Sequence, residues 1–461
     1  MTFRDTITAI ATPPGVGGLG LIRVSGPAAE GIVRRLFRPR RPTPVFNSHH
    51  LYHGQIVDPE TETVLDDALV AFMRGPHSYT GEDTLEINCH GGPYLLRTVL
   101  AEVVKAGARP ADRGEFTKRA FLNDRLDLSQ AEAVLDLITA RTREGLVDAT
   151  GRLKGKLSGR IDAIRNQIID LLARIEASID FSAEEGIVEM AGDELPQFGP
   201  VIDELDALAA TYHRGRIYRE GIGVVITGRP NVGKSSLLNR LLGEKRAIVT
   251  PIPGTTRDFI EEALDIRGIP VRLTDTAGIR PPEDAVEKES IDLLWERLET
   301  ADALMVVLDG SMPLTPDDRK LLIKMQAKPL LAVINKSDLA RVLDEDVLKS
   351  LLPEATPPPI RISAKYGEGI DLLKDAIHSL VLDTPAKEAS DVLIANLRHK
   401  AALEKASEFL VHAREGLQNG LAPELAALEV REALDALGDI TGRTTPDEVI
   451  ERIFTNFCVG K

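Results

Sequence analysis

The stretch GRPNVGKS at residues 228–235 satisfies the spacing G-x-x-x-x-G-K-[ST] at every required position. The spacing has a mechanism: the glycines let backbone N–H groups turn inward around a polyphosphate, Lys234 supplies a point charge, and the Ser235 hydroxyl can ligate Mg²⁺. Residues 223–227 are a short apolar, β-branched run, and residues 236–242 have helical spacing. The loop is therefore expected between a buried strand and a helix N-terminus, where amides and dipole attract anions. Residues 271–278 read as a strand ending in Asp275 and Gly278, a carboxylate and a flexible amide for the γ-phosphate side. Residues 330–338 end a second apolar strand with N-K-x-D, and residues 359–365 end a third with S-A-K. The Asp338 carboxylate can accept hydrogen bonds from N1–H and the exocyclic amine of guanine, which adenine does not offer. Four motifs in this order, each after a strand, predict a guanine-nucleotide domain built for phosphoryl transfer.

The other reactive side chains form no comparable pattern. Cys89 and Cys458 are the only cysteines and lie far apart, so there is neither a disulfide framework nor metal-ligand spacing. Cys89 reads as core. His49, His50, His53 and His90 lack carboxylates or cysteines at ligand spacing, which argues against a metal site. GVGGLG at 15–20 formally matches the dinucleotide fingerprint, but LIRVS at 21–25 alternates like a strand where a Rossmann site needs a helix. Those glycines are expected to make a hairpin or to permit a close backbone approach. Arg34, Arg35, Arg38, Arg40 and Arg41 form a basic cluster with two readings, a local grip on phosphates or a solvated loop beside Pro39 and Pro42.

The elements that must carry these groups follow from length and periodicity. A chain of 461 residues exceeds one ordinary core, and about three domains are expected. No apolar run approaches the ~20 residues of a membrane span and the first residues lack the order of a signal peptide, so a soluble, cytoplasmic protein without membrane contact is expected. The formal charge of −15 argues against a surface that binds nucleic acid everywhere. Strand-like runs at 6–11, 21–25, 68–73 and 84–89, with an amphipathic helix near 93–106, give a mixed α+β domain over 1–121. From 122 to 218 the apolar residues, Ile161, Ile164, Ile168, Leu171 and Ile175 among them, recur every three or four positions as in long helices. The nucleotide domain occupies 219–383, and a second helical stretch, 384–461, breaks near 416–423. The economical arrangement is one discontinuous helical domain with an α/β nucleotide domain inserted in it; two independent helical domains are the alternative.

The residue set GRPNVGKS, GTTRD at 254–258, DTAG at 275–278, NKSD at 335–338 and SAK at 363–365 resembles the Era-like, translation-factor-related GTPases. The inserted nucleotide domain, the terminal FCVGK, and the runs TPPG at 12–15, SYTGED at 78–83 and GEFT at 114–117 narrow the resemblance to the MnmE (TrmE) family of tRNA uridine modification GTPases, over essentially the whole chain. The resemblance implies GTP contacts from Asn231, Val232, Gly233, Lys234, Ser235 and Ser236, from Thr250, Pro251, Ile252, Pro253, Gly254, Thr255 and Thr256, from Asp275, Thr276, Ala277 and Gly278, and from Asn335, Lys336, Asp338, Ser363, Ala364 and Lys365. It implies Mg²⁺ on Ser235 and Thr256, and K⁺ on Asn231, Thr250, Ile252 and Thr255 in place of an arginine finger. Ile279 stands where Ras-like enzymes carry a water-orienting glutamine, and Glu287 matches the family's catalytic, water-positioning glutamate. Arg257 reads either as a finger or as a switch-stabilising residue.

The same resemblance implies an N-terminal tetrahydrofolate-binding-like fold that serves for homodimerisation. Arg23, Glu82, Arg125 and Lys461 fall at the family's folate-contacting positions, and Arg125 stands where lysine is common, a cation of different geometry. A tetrahydrofolate derivative would donate the one-carbon unit attached to C5 of the tRNA wobble uridine. Cys458 is a candidate nucleophile, with packing or folate contact as the competing readings. The chain carries no accepted flavin fingerprint, so the implied redox partner is an FAD-dependent MnmG-type (GidA) protein in a heterotetramer. The competing function is an Era-like ribosome-assembly switch that binds RNA without chemistry, which predicts a compact basic module after residue 384.

Overall fold

The computed structural model describes residues 4–42, 45–185, 191–244, 262–275, 301–325, 328–354, 356–382 and 392–461. They form two compact units, one of Met1–Leu135, Arg152–Ile202 and Lys405–Lys461, the other of Asp136–Gly151 and Asp203–Glu404.

The first unit is built on a seven-stranded sheet of β1 (Ile7–Ile10), β2 (Gly17–Ser25), β3 (Phe37–Pro39), β4 (His50–Val57), β5 (Val64–Met73), β6 (Thr84–Gly91) and β7 (Arg109–Pro110), in the order β3-β4-β5-β6-β2-β1-β7. All neighbours are antiparallel except β1 and β7. Alternation decides the faces: Ile22, Val24, Val70, Phe72, Leu85 and Ile87 point into one core with helices Ala29–Leu36 and Pro93–Lys105. On the other face Ile7 and Ala9 gather with Phe116 and Tyr79. The glycine run at 15–20 makes the expected hairpin, because β1 and β2 pair in the register Ile10↔Ile22. It also makes the close approach: a Cβ on Gly20 would stand 2.5 Å from the Leu96 methyls of the helix that crosses it. Helix Lys156–Glu185 buries Ile161, Ile164, Ile168, Leu171 and Ile175 as one stripe and packs on helix Pro423–Thr441. The last helix, Asp447–Phe454, joins Leu128, Ala131 and Val134 in a separate small core with Phe457.

The second unit carries a six-stranded sheet of β8 (Ile222–Thr227), β9 (Glu262–Ile266), β10 (Ile269–Asp275), β11 (Ala303–Asp309), β12 (Leu330–Asn335) and β13 (Ile360–Arg361), in the order β13-β12-β11-β8-β10-β9. Only β9 runs antiparallel to its neighbour. Every residue of β11 and β12 is buried, as a parallel sheet covered on both faces requires. One face packs with helices Lys234–Glu244 and Ile370–Val381, the other with Pro316–Lys324 and Glu345–Ser350. The loops that follow β8, β11, β12 and β13 all leave from the carboxyl ends of parallel strands, where an open α/β sheet presents its ligand crevice.

Candidate functional site

β8 delivers the chain into the 228–235 loop, and helix Lys234–Glu244 takes it out. Positive φ at Gly228 (147°), Asn231 (66°) and Gly233 (100°) breaks the run of the backbone so that successive N–H groups face inward, an anion-binding concavity. Glycine and asparagine tolerate such angles; most side chains do not. Lys234 is buried, and its Nζ donates to the carbonyls of Gly228 at 2.7 Å and Arg229 at 2.8 Å, which holds the ammonium across the loop. Gly233 is required twice over, since a Cβ there would stand 2.2 Å from Asn335 Nδ2. These residues fit a phosphate chain.

The outer edge of the loop is tied down by residues that motif reading does not single out. Arg229 Nε donates to Asp318 Oδ1 at 2.8 Å. The other Asp318 oxygen accepts from the Thr315 amide and hydroxyl, so one buried carboxylate both caps helix Pro316–Lys324 and anchors the phosphate loop. The T-x-x-D spacing at 315–318 was the available signal for the cap, but nothing local points to Arg229.

The base side is assembled from three segments. Asn335, at the end of β12 and 3% exposed, donates Nδ2 to the Val232 carbonyl at 2.8 Å and accepts from the Ala364 amide at 3.0 Å. Phosphate loop and S-A-K loop are thereby joined through one side chain. Asp338 is exposed and accepts from Ser363 Oγ at 2.7 Å. Lys336 sits at φ 67° with its Nζ 2.6 Å from Asp309 Oδ2. Burial raises the Asp309 carboxyl, but Lys336 and the Ser311 donors outweigh it and hold the group below the usual carboxylate range. Arg240, from the helix after the phosphate loop, donates to the carbonyls of Ala364 (3.2 Å) and Lys365. Asp309 and Arg240 were not foreseen, because each acts on a motif more than 25 residues away.

Asp275 closes β10 opposite Ile226 of the parallel β8, which sets its backbone at the entrance to the phosphate loop. Thr250, Pro251, Ile252, Pro253, Gly254, Thr255, Thr256, Arg257, Thr276, Ala277, Gly278, Ile279 and Glu287 lie outside the described residues.

Comparison with known proteins decides the family. Residues 128–458 match the family described as the MnmE helical domain, and residues 6–125 match the GTP-binding protein TrmE N-terminus. The chain belongs to the MnmE family. The tRNA modification GTPase MnmE of Syntrophus aciditrophicus is 51% identical over 459 residues, covering 100% of both chains. Its counterpart in Natranaerobius thermophilus is 46% identical over 458 residues, 99% of this chain and 100% of that one. The Geobacter sulfurreducens protein of the same name is 46% identical over 463 residues and covers 100% of each. The sheet order, the phosphate loop and the N-K-x-D and S-A-K loops of this MnmE-family chain make up a P-loop GTPase domain.

The residues implied for folate come from four distant segments of the MnmE-family N-terminal region and tail. Arg23 on β2 pairs with Glu86 at 2.8 Å, donates to the Gly460 carbonyl at 3.3 Å, and lies 5.5 Å from the ring centre of Tyr79. Lys461 follows Gly460; burial and the nearby Arg23 push its amine below the usual lysine range. The tail reaches this place because Val459 bridges to Arg113 and Phe454 and Phe457 fill the small core. Two residues along β2, Ser25 donates to Glu82 at 2.7 Å, and Arg119, fully buried, reaches the same carboxylate at 3.2 Å. Arg125 donates to the Ser78 carbonyl at 3.1 Å. Arg23 therefore reaches the tail at Gly460, next to Lys461, while Glu82 and Arg125 are bonded at the two ends of the 78–82 turn.

Cys458 is exposed, and Cys89 is buried with its thiol pushed up to about 12 by burial and by Asp66. His90 and His53 have carboxylate neighbours that sequence spacing hides, Asp66 at 2.7 Å and Asp67 at 3.4 Å, brought across from β5. No group of three or more metal-ligating side chains occurs among the described residues. No helix among them is long and apolar enough to cross a membrane.

Proposed function

We propose that this chain is a K⁺-activated GTP hydrolase that works as a homodimer in the cytoplasm. With an FAD-dependent MnmG-type partner in a heterotetramer, it would build the (carboxymethyl)aminomethyl group on C5 of the tRNA wobble uridine. Its four segments would be an N-terminal folate-binding and dimerisation domain (1–121), a helical domain in two parts (122–218 and 384–461), and the inserted GTPase domain (219–383). The observation that carries the reading is the Asn335 side chain, which holds the phosphate loop and the base loop in one frame.

Within that frame the amides of 228–235 and Lys234 bind the phosphates, and Asp338 accepts hydrogen bonds from the base. Glu287 would orient the attacking water, in the place that Ile279 cannot fill. Mg²⁺ on Ser235 and Thr256, and K⁺ on Asn231, Thr250, Ile252 and Thr255, would supply positive charge against that developing on the phosphoryl oxygens. The place of Asn231 at a left-handed turn in the middle of the phosphate loop, with its side chain exposed, is compatible with that part. Arg23, Glu82, Arg125 and Lys461 would hold the tetrahydrofolate derivative, with two or more cations available for its carboxylates and Glu82 for a ring amine. Cys458, three residues before Lys461, stays a candidate nucleophile of that site. Mass analysis of tRNA from a strain lacking this chain tests the reading: the wobble uridine should lose its C5 substituent, and an unchanged nucleoside refutes the modification role.

A further inference from the structure

We propose that the β3 edge of the N-terminal sheet, with the arginines of residues 34–41, is a docking surface for the sugar–phosphate backbone of tRNA. The inference rests on the tRNA reading above and adds the place of contact.

Three observations carry it. From Gly31 to Val57, 27 residues, the sequence contains five arginines, three histidines and no aspartate or glutamate. Acids make up 71 of 461 residues, a density that would put about four in such a stretch. In a chain with a formal charge of −15, an RNA contact must be local, and this is a place where repulsion has been removed as well as attraction added.

The fold turns this composition into a surface. All five arginines are exposed. Arg34 and Arg35 stand in the last turn of helix Ala29–Leu36, and Arg38 lies on β3, the end strand of the sheet. Arg38 is opposite Gln55, and the Arg40 amide donates to the His53 carbonyl at 2.9 Å, which continues the ladder beyond Pro39. Arg38 and Arg40 thus share the sheet face with Gln55 and His53, away from the two helices of the core. The loop reading is replaced by an ordered edge.

The third observation is spare charge. Glu30 neutralises Arg34, and Glu62 meets Arg38, both from outside the stretch. Arg35 and Arg40 form no ion pair among the described residues. Two simpler explanations cover only part of this. Cations at a helix C-terminus offset its dipole, which accounts for Arg34 and Arg35 alone. Charges guard an edge strand against pairing, but lysine is the usual guard there. Neither explains why every charge is a guanidinium, the group whose planar fork suits phosphate.

The test is binding of fluorescently labelled, unmodified tRNA to the full-length protein, by anisotropy over about 50–200 mM salt. Replacing Arg35, Arg38, Arg40 and Arg41 together by glutamine should weaken binding at least tenfold and flatten the log–log salt dependence by about 3, from roughly 0.7–0.9 per lost phosphate contact. The same four positions as lysine should restore most of the affinity. Basal GTP hydrolysis and the melting temperature of the glutamine variant should stay unchanged, since these side chains are exposed on the sheet edge of the first unit and none of them belongs to a nucleotide-binding motif. Equal affinity and slope for wild type and glutamine variant would overturn the surface, as would absence of wild-type binding at 50 mM salt. Failure of the tRNA reading itself shows separately, as unchanged wobble uridine in the strain lacking the chain.

Discussion

Asn335→Ala is the sharpest perturbation of the nucleotide site, because the side chain contacts two loops and is itself almost fully buried. Alanine removes the donor to the Val232 carbonyl and the acceptor for the Ala364 amide, both bonds lying in buried surroundings. An unsatisfied buried polar group costs about 1–3 kcal/mol, so the pair should cost on the order of 2–5 kcal/mol. The second unit has roughly 220 residues, a size at which 1 kcal/mol moves the midpoint by about 2–4 °C. A drop of about 4–20 °C is expected in its unfolding transition. The second consequence is functional: saturating GDP at about 100 times its dissociation constant stabilises the wild type by about 2.7 kcal/mol, and the variant should gain much less because its loops are no longer held in one frame. Thermal unfolding of the full chain with and without GDP reads both effects, with Leu339→Ala, an exposed neighbour on the same loop, as control. If Asn335→Ala melts within a degree of the wild type and binds GDP as tightly, the side chain does not join the loops and the argument fails.

Two further outcomes follow from other parts of the chain. Exchanging K⁺ for Na⁺ should slow GTP hydrolysis strongly while GDP affinity holds; an unchanged rate would remove Asn231 from the cation site. Glu115 is buried against Arg109 and Arg119; burial raises its carboxyl, but the Arg109 bonds, the Asp112 amide and Arg119 more than offset this and hold it below the usual range. A depressed carboxyl contributes stability above its unfolded pKa and loses it as pH falls through the folded value, so the contribution should fade below about pH 4.5. Glu115→Gln should therefore cost on the order of 2 kcal/mol at pH 7 and progressively less toward pH 3. Urea unfolding of both proteins across that range checks it, and a constant difference would show that the carboxylate charge is not involved.

Much of the nucleotide site was legible in the amino-acid sequence because its parts are local. A glycine or asparagine with positive φ, a lysine six residues after Gly228 and a hydroxyl beside it specify a loop whose shape depends on neighbours in the chain. The apolar runs of β8 and β12 announce buried strands for the same reason. The rejected dinucleotide fingerprint was also local, since alternation after the glycines could only mean a strand. The basic cluster was the opposite case: composition left it open between a loop and a grip, and only the ladder from β3 to β4 put Arg38 and Arg40 on one exposed face.

What tertiary structure decided are the bonds between distant segments. Asn335 reaches the phosphate loop across 103 positions, Arg240 reaches the base loop across 124, and Arg23 meets the tail across 437. Spacing along the chain carries no record of such pairs, because a side chain's partner is set by strand order and helix packing rather than by its own neighbours. The same holds for Asp66 and His90, and for Arg119, whose burial is tolerable only because Asp5, Glu82 and Glu115 converge on it. By itself the sequence determined which chemical groups this protein has and the backbone shapes that present them. The packed fold determined which groups meet, since a hydrogen bond needs its two atoms within about 3 Å and only the folded chain brings them there.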